Sequence, residues 1–339
     1  MFLNHKMLNI KSKHFYLIAF LMIAAFAVLA AGCGGANEDG SSGGESSGYE
    51  VRWATMGAGS SIQVISSAML EDIKKDNSDI IGQVLPGSPE SNLIGVHEGQ
   101  FNMGHSLSDI SNNAWNGKEA FDKEIQDTRN LATLYPHFSH IVVWADSGIN
   151  DISDLKGKRI ITGPNGTSSE FLGKKVLELY GISYDDVEIQ FLNFADGPQQ
   201  FIDGYADALL YTSIPFTFPA ILNVASHKKI KLLEMPDDII QKISENFGGL
   251  NPFTLPANTY PEIDYPVKGI SSRAHIIVRD DMPDEIAYKI TKSIAENFDR
   301  YGDVHAAMKR TTLAEMANDA SIPFHPGALK YYQEAGMKK

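Results

Sequence analysis

The chain has 339 residues, 21% of them charged, a formal net charge of −13 and a single cysteine. So acidic a balance argues against nucleic acid or an anionic membrane surface as an electrostatic partner. One cysteine allows no intrachain disulfide, so stability must come from an apolar core, which this length supplies in two domains.

Residues 1–32 read as an export signal. Lys6, Lys11 and Lys13 precede an apolar run from Phe15 to Ala31. Leu29-Ala30-Ala31-Gly32-Cys33 follows, small residues leading into the sole cysteine, which resembles a bacterial lipobox. Cys33 is therefore the expected lipidation site and anchor on the extracytoplasmic face of the membrane. Residues 33–48 form a glycine- and serine-rich tether. Its Gly40 to Gly44 string matches a nucleophile elbow by letters but lacks the strand and helix that make such a serine reactive.

Val51 to Met56 is a β-branched and aromatic run, then Gly57-Ala58-Gly59, then Ile62, Ile65, Met69 and Ile73 at near-helical spacing. A second strand spans Ile80 to Leu85, a helix runs from about Ser91 to Glu98, and a third strand covers Phe101 to Ser106. Leu131 to Tyr135 and His140 to Trp144 read as two extended runs parted by Pro136, a first crossing between lobes. The order then repeats. Arg159 to Thr162 is a strand, and Thr167 with Glu170 spells a capping box before Leu172, Val176 and Leu179. Strands follow at Val187 to Leu192, Ala208 to Tyr211 and Ile230 to Glu234, and the chain returns through His275 to Val278 into a helix striped by Ile286, Ile290, Ile294 and Phe298. Punctuation repeats too, at a spacing of 105 or 106 residues: Gly57 corresponds to Gly163, Gly99 to Gly204 and Ser108 to Ser213.

Strands alternating with helices predict an α/β chain whose ligands bind where the strands end. A glycine turn before a helix offers unpaired N–H groups and a positive dipole end, and serine or threonine adds hydroxyls. Gly57, Gly59, Ser60 and Ser61 in one lobe and Thr167, Ser168 and Ser169 in the other are the candidate ligand contacts, with helix capping as the plain alternative. Ser106, Ser108, Tyr211 and Ser213 end the third strand of each lobe, and Ser88 and Asn92 follow a second strand. Arg273, near the return crossing, has the fork to clamp a carboxylate. No metal, cofactor or catalytic signature assembles, so neither a cofactor nor catalysis is expected.

The chain also resembles one family, on Gly87-Ser88-Pro89-Glu90-Ser91-Asn92-Leu93, Asp154-Leu155-Lys156-Gly157-Lys158, Gly163-Pro164-Asn165-Gly166-Thr167, Leu255-Pro256-Ala257-Asn258-Thr259-Tyr260-Pro261 and Ile322-Pro323-Phe324-His325-Pro326-Gly327-Ala328. These are similar to the TAXI-type solute receptors of tripartite ATP-independent periplasmic (TRAP) transporters. The resemblance implies a type II, Venus-flytrap binding protein with a mostly parallel sheet in each lobe and crossing hinge strands. Lobe 1 would hold 49–138 and 273–339, and lobe 2 would hold 139–272. It implies a monomer that closes on a small carboxylate or an amino acid such as glutamate and delivers it to membrane subunits driven by an ion gradient. Where the family usually shows Gly-x-Gly-Gly-x-Tyr, this chain has Gly57-Ala58-Gly59-Ser60-Ser61-Ile62, and Arg273 occupies a usual proline position.

Overall fold

Two strands, β4 (Thr128–Trp144) and β10 (Val267–Arg279), run antiparallel down the middle of the molecule and tie its halves together. The computed structural model describes residues 48–57, 60–214 and 218–338. The export signal, Cys33 and most of the tether lie outside the described residues, as does Gly59.

On one side of the central pair lie β1 (Tyr49–Ala54), β2 (Ile80–Leu85) and β3 (Met103–Leu107), parallel to one another in the order β2-β1-β3. On the other lie β5 (Arg159–Thr162), β6 (Glu188–Phe191) and β7 (Ala208–Ser213), again parallel, in the order β7-β5-β6. β10 joins β3, and β4 joins β7, both antiparallel. The expected pair of sheets is therefore one ten-stranded sheet running β2-β1-β3-β10-β4-β7-β5-β6, with β8 (Ile230–Leu232) on β4 and β9 (Asn251–Leu255) on β10. The protein is a mixed α/β fold of the two-lobed periplasmic-binding-protein kind.

Pro136 does not break the first crossing, as the sequence suggested, but sits inside a continuous 17-residue strand. The ladder accommodates it by slipping: Arg273 pairs with Pro136, whereas His275 pairs with Thr133. That bulge falls where proline can offer no ladder N–H.

Three apolar clusters fill the two lobes. The first packs Val51, Trp53, Ile65 and Met69 against Ile276, Ile290, Ile294 and Tyr332, joining the early strands to the C-terminal helices. The other two draw only on residues between 138 and 270. The predicted stripe splits at its end: Ile286, Ile290 and Ile294 lie on α8 (Asp284–Glu296), while Phe298 opens α9 (Phe298–Val304).

Four histidines of the central strands, His105, His137, His140 and His275, are buried. His105 Nε2 lies 2.7 Å from Ser66 Oγ, His275 Nε2 lies 2.8 Å from Ser111 Oγ, and His140 Nε2 lies 2.9 Å from Tyr260 Oη. Burial pushes the His105, His140 and His275 imidazoles down to about 3 and His137 to about 4.

Candidate functional site

Three helix N-termini of the first lobe carry the candidate residues. Ser60 caps α1 (Ser61–Asp76), its Oγ accepting from the Gln63 N–H at 3.3 Å. Ser88 caps α2 (Pro89–His97) in a reciprocal box with Ser91. No side chain caps α3 (Ser108–Trp115), which places Asp109 in its first turn. From the second lobe comes the turn before α4 (Ser168–Leu179).

The ends of α3 and α4 meet directly, and α2 joins them through Glu90. Ser168 Oγ donates to Asp109 Oδ2 at 2.9 Å, a bond between α4 of one lobe and α3 of the other. Asp109 is 1% exposed, and its second oxygen, Oδ1, has no hydrogen-bond partner. Burial raises its pKa above the usual carboxylate range, opposed by the Ser168 bond and by the nearby Asp109 N–H, Ile110 N–H and Ser272 hydroxyl. Two helix N-termini thus face this carboxyl, which eases its burial without removing the penalty.

Beside it opens a cavity of about 110 Å³, lined by Glu90 of α2, Asp109, Ile110 and Asn113 of α3, the segment Glu119 to Phe121, and the turn from Gly166 to Ser168 with Glu170 and Phe171. A single water needs only ~10–15 Å³ on this measure, so the space admits a small solute group or several waters. Its walls are acidic. Glu90 is pushed up to about 7, first by burial and then by the Asp109 charge. Glu119 pairs with Lys175 of α4 at 3.3 Å, a second contact between lobes, and Glu170 Oε1 accepts from Tyr184 Oη at 2.8 Å. No lysine or arginine lines the cavity among the described residues.

A third stitch between lobes lies nearby. Ser108 Oγ donates to Gly249 O at 2.5 Å and accepts from the Arg273 N–H at 2.8 Å. Gly249 has φ +84, and a Cβ there would stand 2.2 Å from Ser108 O, so glycine alone permits this approach.

The other sequence-derived candidates take different roles. Asn92 is fully buried and its Nδ2 donates to Thr55 O at 2.8 Å and His105 O at 2.9 Å, pinning the end of β1 to the middle of β3. Gly87 must be glycine for that, since a Cβ would sit 2.0 Å from Asn92 Oδ1. Ser106 Oγ donates to Pro89 O at 3.4 Å, and Ser169 exchanges bonds with the Thr212 backbone. Tyr211 turns its hydroxyl to Leu192 O at 3.2 Å and Asn193 O at 3.1 Å, packing its ring in the second lobe's core. Thr167 makes no capping bond; its Oγ1 donates to Pro164 O at 2.7 Å, so the spelled capping box does not form. Arg273 Nη1 pairs with Glu315 at 3.0 Å, so its guanidinium is already engaged. Ser61, half-buried, opens α1, Gly57 is exposed beside it, and Ser213, buried at the end of β7, pairs in register with Phe138. Of the candidates, Thr167 and Ser168 line the cavity; Asp109 and Glu90 also line it but carried no signal beyond an ordinary first-turn acid.

The profile of the NMT1-like family matches residues 54–336. The chain belongs to the NMT1-like family. The phosphate-binding protein PstS of Bacillus subtilis (strain 168) is 29% identical over 162 residues, 47% of this chain and 51% of that protein. The chain thus matches about half the length of that relative. Among solved structures, a TctC solute binding protein from Polaromonas aligns with a TM-score of 0.50 and 17% identity, over 83% of this chain and 98% of that one. The periplasmic aliphatic sulphonate binding protein SsuA from Escherichia coli gives 0.48 and 14%, over 84% and 78%. At such identities the structural likeness speaks to the fold alone. These relatives are solute-binding proteins by name. No helix among the described residues is long and apolar enough to cross a membrane.

Proposed function

We propose that this NMT1-like protein is an extracytoplasmic solute receptor, held to the membrane through a lipidated Cys33, that closes its lobes on a small amino acid. It hands that solute to the membrane subunits of an ion-gradient-driven TRAP transporter and catalyses no reaction itself. The observation that carries the reading is the Ser168–Asp109 bond at 2.9 Å, which joins the lobes beside a solute-sized space. A solute that touches both walls there stabilises the closed form over the open one. Of the two solute classes the sequence left open, the acidic lining favours an amino acid over a simple organic anion, because an α-amino acid brings an ammonium group as well as a carboxylate. The TRAP assignment and the lobe limits, 49–138 with 273–339 and 139–272, rest on the sequence resemblance.

Native mass spectrometry of the freshly purified protein tests this. The expected result is a co-purified small molecule that leaves on denaturation and that, added back, raises Tm. A clean apo spectrum, together with no thermal shift from any of the twenty amino acids, would refute it.

A further inference from the structure

We propose that the cavity between the lobes is a side-chain pocket for an uncharged aliphatic group, so that the solute is a small apolar amino acid rather than glutamate. The inference rests on the solute-receptor reading above and adds to it the chemistry of the recognised side chain.

Each lobe gives the cavity an apolar wall. Ile110 and Phe121 come from the first lobe, both buried, with Ala120 exposed at the rim, and Phe171 comes from the second. Ile110 and Phe121 belong to the core that joins the early strands to the C-terminal helices, whereas Phe171 packs against a core of the other lobe. The Phe171 ring is held in place: it meets the Phe247 ring edge-on with centroids 6.1 Å apart, and Lys175 Nζ lies 5.5 Å from its centre. Walls rooted in separate cores are in reach of one solute only when the lobes meet. Filling the space between them therefore favours the closed form alone. Removal of apolar surface from water is worth about fourfold in affinity for each methylene buried.

Charge decides against a polar side chain of either sign. A carboxylate in the cavity would meet Glu90, Glu119 and Glu170, with no basic side chain among the described lining residues to receive it. A cation would find those acids engaged. Glu119 is directed at Lys175 at 3.3 Å, Glu170 accepts from the Tyr184 hydroxyl at 2.8 Å, and the Glu90 carboxyl lies beside the Ser88 hydroxyl. It would also be repelled by Lys175, whose ammonium already stands over Phe171. An uncharged hydrocarbon group avoids both penalties and suits the apolar walls.

The test is calorimetry on the full-length protein in detergent, titrated with L-alanine, L-2-aminobutyrate, L-valine and L-leucine, and with L-glutamate and L-lysine as charged counterparts. Affinity climbs about fourfold with each carbon added from alanine to leucine. Leucine binds at least roughly tenfold more tightly than glutamate or lysine. Ala120→Leu, which fills the space from an exposed position, brings the leucine-to-alanine affinity ratio down by roughly tenfold or more. Phe171→Ala removes the second lobe's wall and lowers the same ratio. Because that ratio compares two solutes on one protein, it is read independently of any loss of folded material, and the parent series decides alone should a variant fail to fold. Affinity that stays flat from alanine to leucine, or glutamate or lysine bound more tightly than leucine, overturns the inference while the receptor reading stands. If no member of the series binds, the inference falls; if native mass spectrometry also finds no co-purified solute, the receptor reading falls with it.

Discussion

Replacing Ser168 by alanine removes a single hydroxyl and, with it, the hydrogen bond to the buried Asp109. Ser168 is 8% exposed and its Oγ has Asp109 as partner, so the cavity left is small and little else changes. A hydrogen bond to a charged group contributes ~1.5–3 kcal/mol. The bond joins two lobes, so its loss destabilises the closed form while the open form, where Asp109 is hydrated, is unaffected. The solute's apparent affinity, which scales with the closed population, should fall by roughly 10–150-fold. Each lobe's own core is untouched, so Tm without solute should move by only about 1–3 °C. Calorimetry with the co-purified solute and a thermal melt separate the two effects. Affinity within twofold of the parent would refute the idea that this bond reports closure; a large fall in Tm would make Ser168 a folding residue instead.

Asn92→Ala strips two buried carbonyls of their donor and should cost about 2–5 kcal/mol, read as a drop of roughly 5–10 °C in Tm; an unchanged melt would mean the strand ends hold without it. Arg273→Ala should lower stability by only ~1 kcal/mol, since its pair with Glu315 is partly exposed, and leave solute affinity within twofold; a tenfold loss would restore the carboxylate clamp. Acid should destabilise the protein steeply. The buried histidines have folded pKa values of about 3 to 4 against 6.5 when unfolded, so the unfolded chain takes up the protons; stability is complete above about pH 6.5 and drains toward pH 3. At pH 5 each of His105, His137, His140 and His275 costs about 2 kcal/mol, while Glu90, shifted the other way, returns a similar amount once. A urea midpoint that is flat from pH 7 to 5 would contradict this.

The strands and the glycine turns were legible because they follow from local chemistry. β-branched runs made β1, β2 and β5, and Gly163, Gly166 and Ser168 do mark a strand-to-helix turn at the cleft. The errors share another cause. Thr167 and Glu170 had the capping spacing, but Pro164 O and the Tyr184 hydroxyl, partners that no spacing reveals, took their side chains. Pro136 broke the local strand pattern, yet pairing with β10 and β7 on both sides carried the strand through. Asn92 read as a ligand contact because it follows a strand; that same position lets it reach two carbonyls. Asp109 went unnoticed because an acid in a first turn is commonplace, and only its meeting with Ser168 across the chain distinguishes it.

The contacts between lobes cluster on one flank. Ser168 with Asp109, Lys175 with Glu119 and Ser108 with Gly249 all involve α3 or the segment that follows it. Closure is therefore partly prepaid by protein–protein contacts, and the solute need not supply all of the ~5.5 kcal/mol that turns a 1:99 mixture into 99:1. The arrangement is also conditional. Asp109 accepts from Ser168 most strongly while ionised, and burial works against ionisation. A donor from the solute would relieve that opposition, strengthening the Ser168 bond in the same step. Recognition and closure then meet at one carboxyl, whose Oδ2 holds the other lobe.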